Sequence, residues 1–108
     1  MAVITVQDVT AAGITPSYVA ASAGGDSFTN NGRTMLHIKN GGTSSITVTI
    51  VSARTCNFGF QHDLTVTINA SSEKMIGPFA PERFNNDSAM VQVNYSAVTS
   101  VTVAALEV

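Results

Sequence analysis

Two stretches of the chain alternate without a break between branched apolar residues and threonine: Ile46-Thr47-Val48-Thr49-Ile50 and Leu64-Thr65-Val66-Thr67-Ile68. Successive side chains of an extended backbone point to opposite faces, so this period of two makes a strand with one apolar and one polar face. Val91, Val93 and Tyr95 repeat the pattern against Gln92 and Asn94. Val101 and Val103 do so against Thr102 in a last strand that runs to Leu106. Met35-Leu36-His37-Ile38-Lys39 predicts a further strand, closed by Asn40-Gly41-Gly42, because Asn and Gly tolerate the positive φ of tight turns. Residues 34–51 then read as a hairpin. Shorter strands are expected from Val3 to Val6, from Val19 to Ala21 and from Lys74 to Ile76, the last before a turn fixed by Pro78 and Pro81.

Helical patterning is poor throughout. No window of a dozen residues places apolar side chains at i, i+3, i+4 and i+7 without a Gly, Pro or β-branched interruption, and a turn or two over Val6 to Ala12 is the most expected. Short strands separated by turn residues predict an all-β fold: one antiparallel β-sandwich domain of about eight strands over residues 1–108. Residues 22–33 form the longest polar loop, which its length marks as a contact segment.

Composition narrows the partners. Charged residues are 11% of the chain and hydrophobic ones 44%, with a formal net charge of −2, whereas soluble domains carry about 25% charge. The polar surface is therefore built from hydroxyls and amides, as in Thr43-Ser44-Ser45 and Asn85-Asn86-Asp87-Ser88. Five Lys and Arg, at positions 33, 39, 54, 74 and 83, are scattered among seven acids. Without a basic stripe to neutralise phosphates, neither nucleic acid nor a membrane surface is an expected partner. Met1 to Val6 lacks the charged and apolar regions of a signal peptide, so synthesis in the cytoplasm is expected, and no 18-residue apolar run occurs.

The chemistry-bearing residues are few. His37, His62 and Asp63 are the one set that could transfer protons or hold a metal, and two ordinary histidines in a strand and a turn explain them more simply. Cys56 is the single cysteine, which excludes an internal disulfide; it reads as core or interface filling, with no activating base beside it. A calcium loop at residues 85–88 is the weaker alternative to a plain turn. Asn69-Ala70-Ser71, Asn86-Asp87-Ser88 and Asn94-Tyr95-Ser96 fit the glycosylation pattern, but glycosylation requires secretion and without a signal peptide none is expected. No catalytic residue, metal site or cofactor is expected. Gly77-Pro78-Phe79-Ala80-Pro81-Glu82-Arg83-Phe84 is the most individual stretch. Phe79, Arg83 and Phe84 are residue types that anchor interfaces; equally, the two rings can fill the domain's own core while Arg83 pairs with an acid.

Three segments, Asp26-Ser27-Phe28-Thr29-Asn30-Asn31-Gly32-Arg33-Thr34, His37-Ile38-Lys39-Asn40-Gly41-Gly42 and Gly77 to Asn85, together with the closing Tyr95 to Val103, carry a likeness over nearly the whole length. In these the chain resembles the small proteins of tailed-bacteriophage structural modules that decorate or cement the head. The resemblance implies a β-sandwich, with a jelly roll as one form of it, present in many copies on the capsid exterior of the virion and without enzymatic activity. It implies the major capsid protein as partner and self-association as a homotrimer.

An extended β-branched run at a chain end can donate main-chain hydrogen bonds to a sheet edge. Ala2, Val3, Ile4, Thr5 and Val6 are accordingly expected to pair with a capsid strand, and their deletion is expected to leave the fold intact. A tail or neck component of the virion is one rival reading. A carbohydrate- or cell-surface-binding sandwich is another, disfavoured by the absence of Trp. A small β-barrel enzyme would require His37, His62 and Asp63 to converge.

Overall fold

Alternation fixes which residues turn inward, and pairing between distant strands fixes which sheet each belongs to. The computed structural model describes residues 2–52 and 63–108. These form ten strands and one helical turn: β1 (Ala2–Val3), β2 (Val6–Asp8), β3 (Val19–Ala20), β4 (Asp26–Thr29), β5 (Thr34–Asn40), β6 (Ile46–Ile50), β7 (Leu64–Ile68), β8 (Ser72–Ile76), α1 (Pro81–Phe84), β9 (Met90–Tyr95) and β10 (Val101–Glu107). One sheet has the order β1-β4-β9-β6-β7; the other runs β2-β10-β5-β8, with β3 also on β10. The protein is an all-β sandwich of two mixed sheets.

The core lies between the sheets. Ile46, Val48 and Ile50 of β6 are buried while Thr47 is exposed, and Leu36 and Ile38 of β5 are fully buried between the half-exposed Met35, His37 and Lys39. Each fully buried aliphatic side chain contributes about 1.5–3 kcal/mol to the fold. Phe28 of β4, Phe79 and Phe84 pack in series, the first pair tilted and the second edge to face, with ring centroids 5.6 and 5.8 Å apart. They close one end of the core.

The strands foreseen at Ile46–Ile50, Leu64–Ile68, residues 91–95 and residues 101–106 are all present, and His37 lies on the polar face of β5. Several expectations are corrected. Residues 34–51 are not a hairpin: β5 pairs with β10 and β8, whereas β6 pairs with β7 and β9 in the other sheet. The Asn40 side chain directs this crossing. Its Nδ2 donates to the carbonyls of Ser44, Ile68 and Asn69, and its Oδ1 accepts from the Gly42 N–H. Residues 22–33 are not one loop, because β4 runs through them with Asp26, Ser27 and Phe28 buried.

No helix forms over Val6 to Ala12; β2 and a turn closed by Gly13 N–H to Thr10 O take its place, and among the described residues the one helical turn is α1. The sheets are not purely antiparallel. β1 runs parallel to β4 and β2 parallel to β10. The expected strand from Val3 to Val6 is thereby split between the two sheets, with Ile4 buried at the crossing.

Candidate functional site

The N-terminal arm, residues 2–8, straddles one side of the sandwich. Ala2 and Val3 pair with Asp26 and Ser27, and the Ile4 N–H donates to Ser27 O at 2.8 Å. Val6, Gln7 and Asp8 then pair with Ala105, Leu106 and Glu107. β3 occupies the same edge of β10 further along, antiparallel at Thr102 and Val103, so two short strands together complete that edge. The Gln7 side chain locks the arm to the returning chain, donating to Ser17 O and accepting from the Ser17 N–H, both at 2.9 Å. A shallow groove of about 350 Å³ opens between them, lined by Val3, Ile4, Thr5, Gln7, Ser17 and Val19. Val3 and Val19 are 68% and 50% exposed there.

Of the five arm residues expected to face a partner, Ala2, Val3 and Thr5 are exposed, Val6 is half-buried and Ile4 is a core residue. The arm's inward hydrogen-bonding edge is used within its own domain. The proline segment divides in the same way. Phe79 and Phe84 are buried, while Arg83 is exposed with its guanidinium 4.6 Å from the Phe84 ring centre. Asn30 and Asn85 hold this segment against the end of β4. Asn30 Nδ2 donates to Phe79 O at 3.1 Å and to Asn85 Oδ1 at 2.7 Å, and Asn85 Nδ2 donates to Asn30 O at 2.8 Å.

His37 meets other partners than those the sequence offered. Tyr18 Oη lies 2.6 Å from Nδ1, and Glu73 Oε1 lies 3.2 Å from Nε2. With its proton on Nε2 the ring donates to Glu73 and accepts from the Tyr18 hydroxyl, satisfying both nitrogens. Lys39 Nζ sits 4.1 Å from the Tyr18 ring centre, a cation–π contact on the same face of the sheet. Both ring nitrogens and the Tyr18 hydroxyl are engaged within this cluster, which suits it to tying Tyr18 onto the outer face of the sheet. Glu73 could have been found from the β5–β8 register, where it stands opposite Lys39. Tyr18 arrives from outside the ladder and leaves no periodic signal.

Asp63 accepts a hydrogen bond from the Ser52 N–H at 2.7 Å. His62 and Cys56 lie outside the described residues. Asn86 forms a plain turn, its Oδ1 accepting from the N–H groups of Ser88 and Met90. Among the described residues no group of three or more His, Cys, Asp or Glu could hold a metal ion, and no helix is long and apolar enough to cross a membrane.

One buried polar pair was not anticipated. The Asp26 carboxylate, 1% exposed, accepts from the Tyr95 hydroxyl at 2.8 Å and from the Ser22 N–H at 3.2 Å. Burial first, and then the hydrogen bond to Asp26 and its negative charge, push the Tyr95 hydroxyl well above the usual tyrosine range. Alternation placed Tyr95 inward with Val91 and Val93; it gave no sign that a carboxylate would meet it.

Compared with known proteins, the chain matches no family model, no curated protein and no solved structure.

Proposed function

We propose that this chain is a non-enzymatic structural protein that binds the outside of a tailed-phage capsid in many copies, with the major capsid protein as its partner. The observation that supports this reading most is the wiring of β3 to β10. They lie in the orders β3-β10-β5-β8 and β4-β9-β6-β7, and the chain changes sheet at every connection except that between β6 and β7. This is the order of two interlocked Greek keys, the eight-stranded jelly roll that recurs in viral capsid and lectin domains.

The polar groups described above support it too. They are spent on internal fastening, in the Tyr18–His37–Glu73 chain, the Asn30–Asn85 clasp and the Asp26–Tyr95 pair, which makes a stiff body rather than a reacting one. A surface with few charges suits dense packing, where each charge would face copies of itself. Within this reading Ala2, Val3, Thr5 and Arg83 are the exposed members of the expected contact residues, and the homotrimer is the assembly that the phage resemblance implies.

The test is co-sedimentation of the purified protein with mature heads prepared without it. Saturation at a fixed ratio to the major capsid protein is expected, and no binding at micromolar concentration contradicts the reading. The same wiring in lectin domains makes a glycan screen the second arm, in which sugar binding without head binding would favour a carbohydrate-binding module. Binding to isolated tails alone would make the protein a tail or neck component.

A further inference from the structure

β7 is the outermost strand of its sheet, and among the described residues nothing pairs with its outer edge. Sheet edges left open invite another strand, and proteins blunt them with charges, prolines or bulges. The outermost strand of the other sheet, β8, carries Glu73 and Lys74. β7, Leu64-Thr65-Val66-Thr67-Ile68, has no charge and no proline, and its pairing with β6 is continuous from Ile50↔Leu64 to Ile46↔Ile68. Leu64 and Val66 are half-buried, as apolar side chains at the rim of a sandwich are when no further strand covers them.

The partner that β7 already holds shows what the open edge would accept. β6 reads Ile46-Thr47-Val48-Thr49-Ile50, the same as β7 at four of five positions. The two pair antiparallel with Val48 opposite Val66, Thr47 opposite Thr67 and Thr49 opposite Thr65. β7 therefore pairs, on its inner edge, with a near copy of itself. The pattern is also symmetric about its centre. Antiparallel pairing of β7 with a second β7 about Val66 sets Leu64 opposite Ile68, Thr65 opposite Thr67 and Val66 opposite Val66. Each of these pairings is of the kind seen in the β6–β7 ladder, with apolar and threonine faces kept apart.

We propose that β7 is a self-pairing edge, through which two copies of this chain join strand to strand about a two-fold axis at Val66 and fuse their five-stranded sheets into one. The order across the junction is β6-β7-β7-β6. Such a contact is isologous, so it is distinct from the threefold contact of a trimer and doubles whatever assembly the rest of the surface makes. It does not depend on the capsid reading.

The experiment uses the exposed face of β7, where Thr65 and Thr67 stand opposite Thr49 and Thr47 within the chain and opposite each other across the junction. T65K/T67K sets Lys against Lys twice at the junction and only against Thr inside the domain. T65E/T67K sets Glu against Lys twice. Light scattering on a sizing column, at matched concentrations, is expected to give T65K/T67K half the mass of the wild type and to give T65E/T67K the wild-type mass, with circular dichroism unchanged in both. Equal masses for the wild type and T65K/T67K overturn the proposal, as does a T65E/T67K species that stays at half mass. If T65K/T67K fails to fold, amide exchange on the wild type decides: exchange in β7 that rises on dilution supports the junction, and exchange independent of concentration overturns it.

Discussion

The Tyr95 hydroxyl donates to the Asp26 carboxylate across 2.8 Å, joining the last residue of β9 to the first residue of β4 at the rim of the core. Asp26 also lies directly beside Ala2 in the β1–β4 pairing, so the buried carboxylate sits where the arm enters the sheet. Among the described residues, removing the phenol oxygen leaves that carboxylate with the Ser22 N–H as its remaining donor. Tyr95→Phe is expected to cost about 1–3 kcal/mol, the penalty for a buried acceptor that loses a partner. Urea denaturation at neutral pH measures it; a cost below a few tenths would mean that water replaces the hydroxyl.

The same pair makes stability sensitive to alkali. The folded state holds the Tyr95 proton above the usual tyrosine range, while the unfolded chain releases it near pH ~10. Above that pH the folded state binds more protons than the unfolded one, so stability falls as pH rises. The contribution is complete below pH ~10 and is lost above it at up to about 1.4 kcal/mol per pH unit. Tyr95→Phe lacks it. The wild type is expected to lose stability more steeply than the variant between about pH 10 and 11, and parallel profiles would show that Tyr95 is not held protonated.

The arm is part of the core. Ile4, 5% exposed, packs between the sheets, and Ile4→Ala is expected to destabilise the fold by about 2–5 kcal/mol. Deletion of residues 2–6, which the sequence suggested would be tolerated, is expected to cost at least as much. Val3 is the residue that separates folding from contact: at 68% exposure, Val3→Lys is expected to shift stability by no more than about 0.5 kcal/mol. Within the proposed function it lowers capsid loading. Unchanged loading would place the contact away from β1.

Asn30 and Asn85, 3% and 9% exposed, bind each other through two hydrogen bonds and through Asn30 carry the Phe79 carbonyl. Asn30→Ala and Asn85→Ala are each expected to cost about 1–3 kcal/mol. In a double-mutant cycle the pair is expected to couple by about 0.5–3 kcal/mol. Additive losses would mean that the two amides act separately.

The parts of this fold that were legible in the sequence are those set by local alternation. β6, β7, β9 and β10 stand where the period of two put them, because each turns an unmixed apolar face to the core. β4 escaped because Asp26 and Ser27 are buried polar residues, satisfied by Tyr95, by the Ser22 N–H and by Ala2 O. A pattern of apolar residues cannot register a strand whose polar groups are paid for by distant partners. The mistaken hairpin at residues 34–51 has the same origin. Alternation shows which way a side chain points, but the sheet to which a strand belongs is decided by contacts such as those of Asn40 with Ile68 O and Asn69 O. The candidate contact residues divided likewise, with Val3 and Arg83 exposed and Ile4, Phe79 and Phe84 in the core, since an apolar residue type serves either place equally well.

The proposed function is tested most directly by the copy number of this chain in purified particles of the phage that, on this reading, encodes it, taken by quantitative mass spectrometry after heads and tails are separated. A fixed, high ratio to the major capsid protein in the head fraction is the expected result. Recovery in the tail fraction alone, or absence from the particle, would contradict the assignment to the capsid surface.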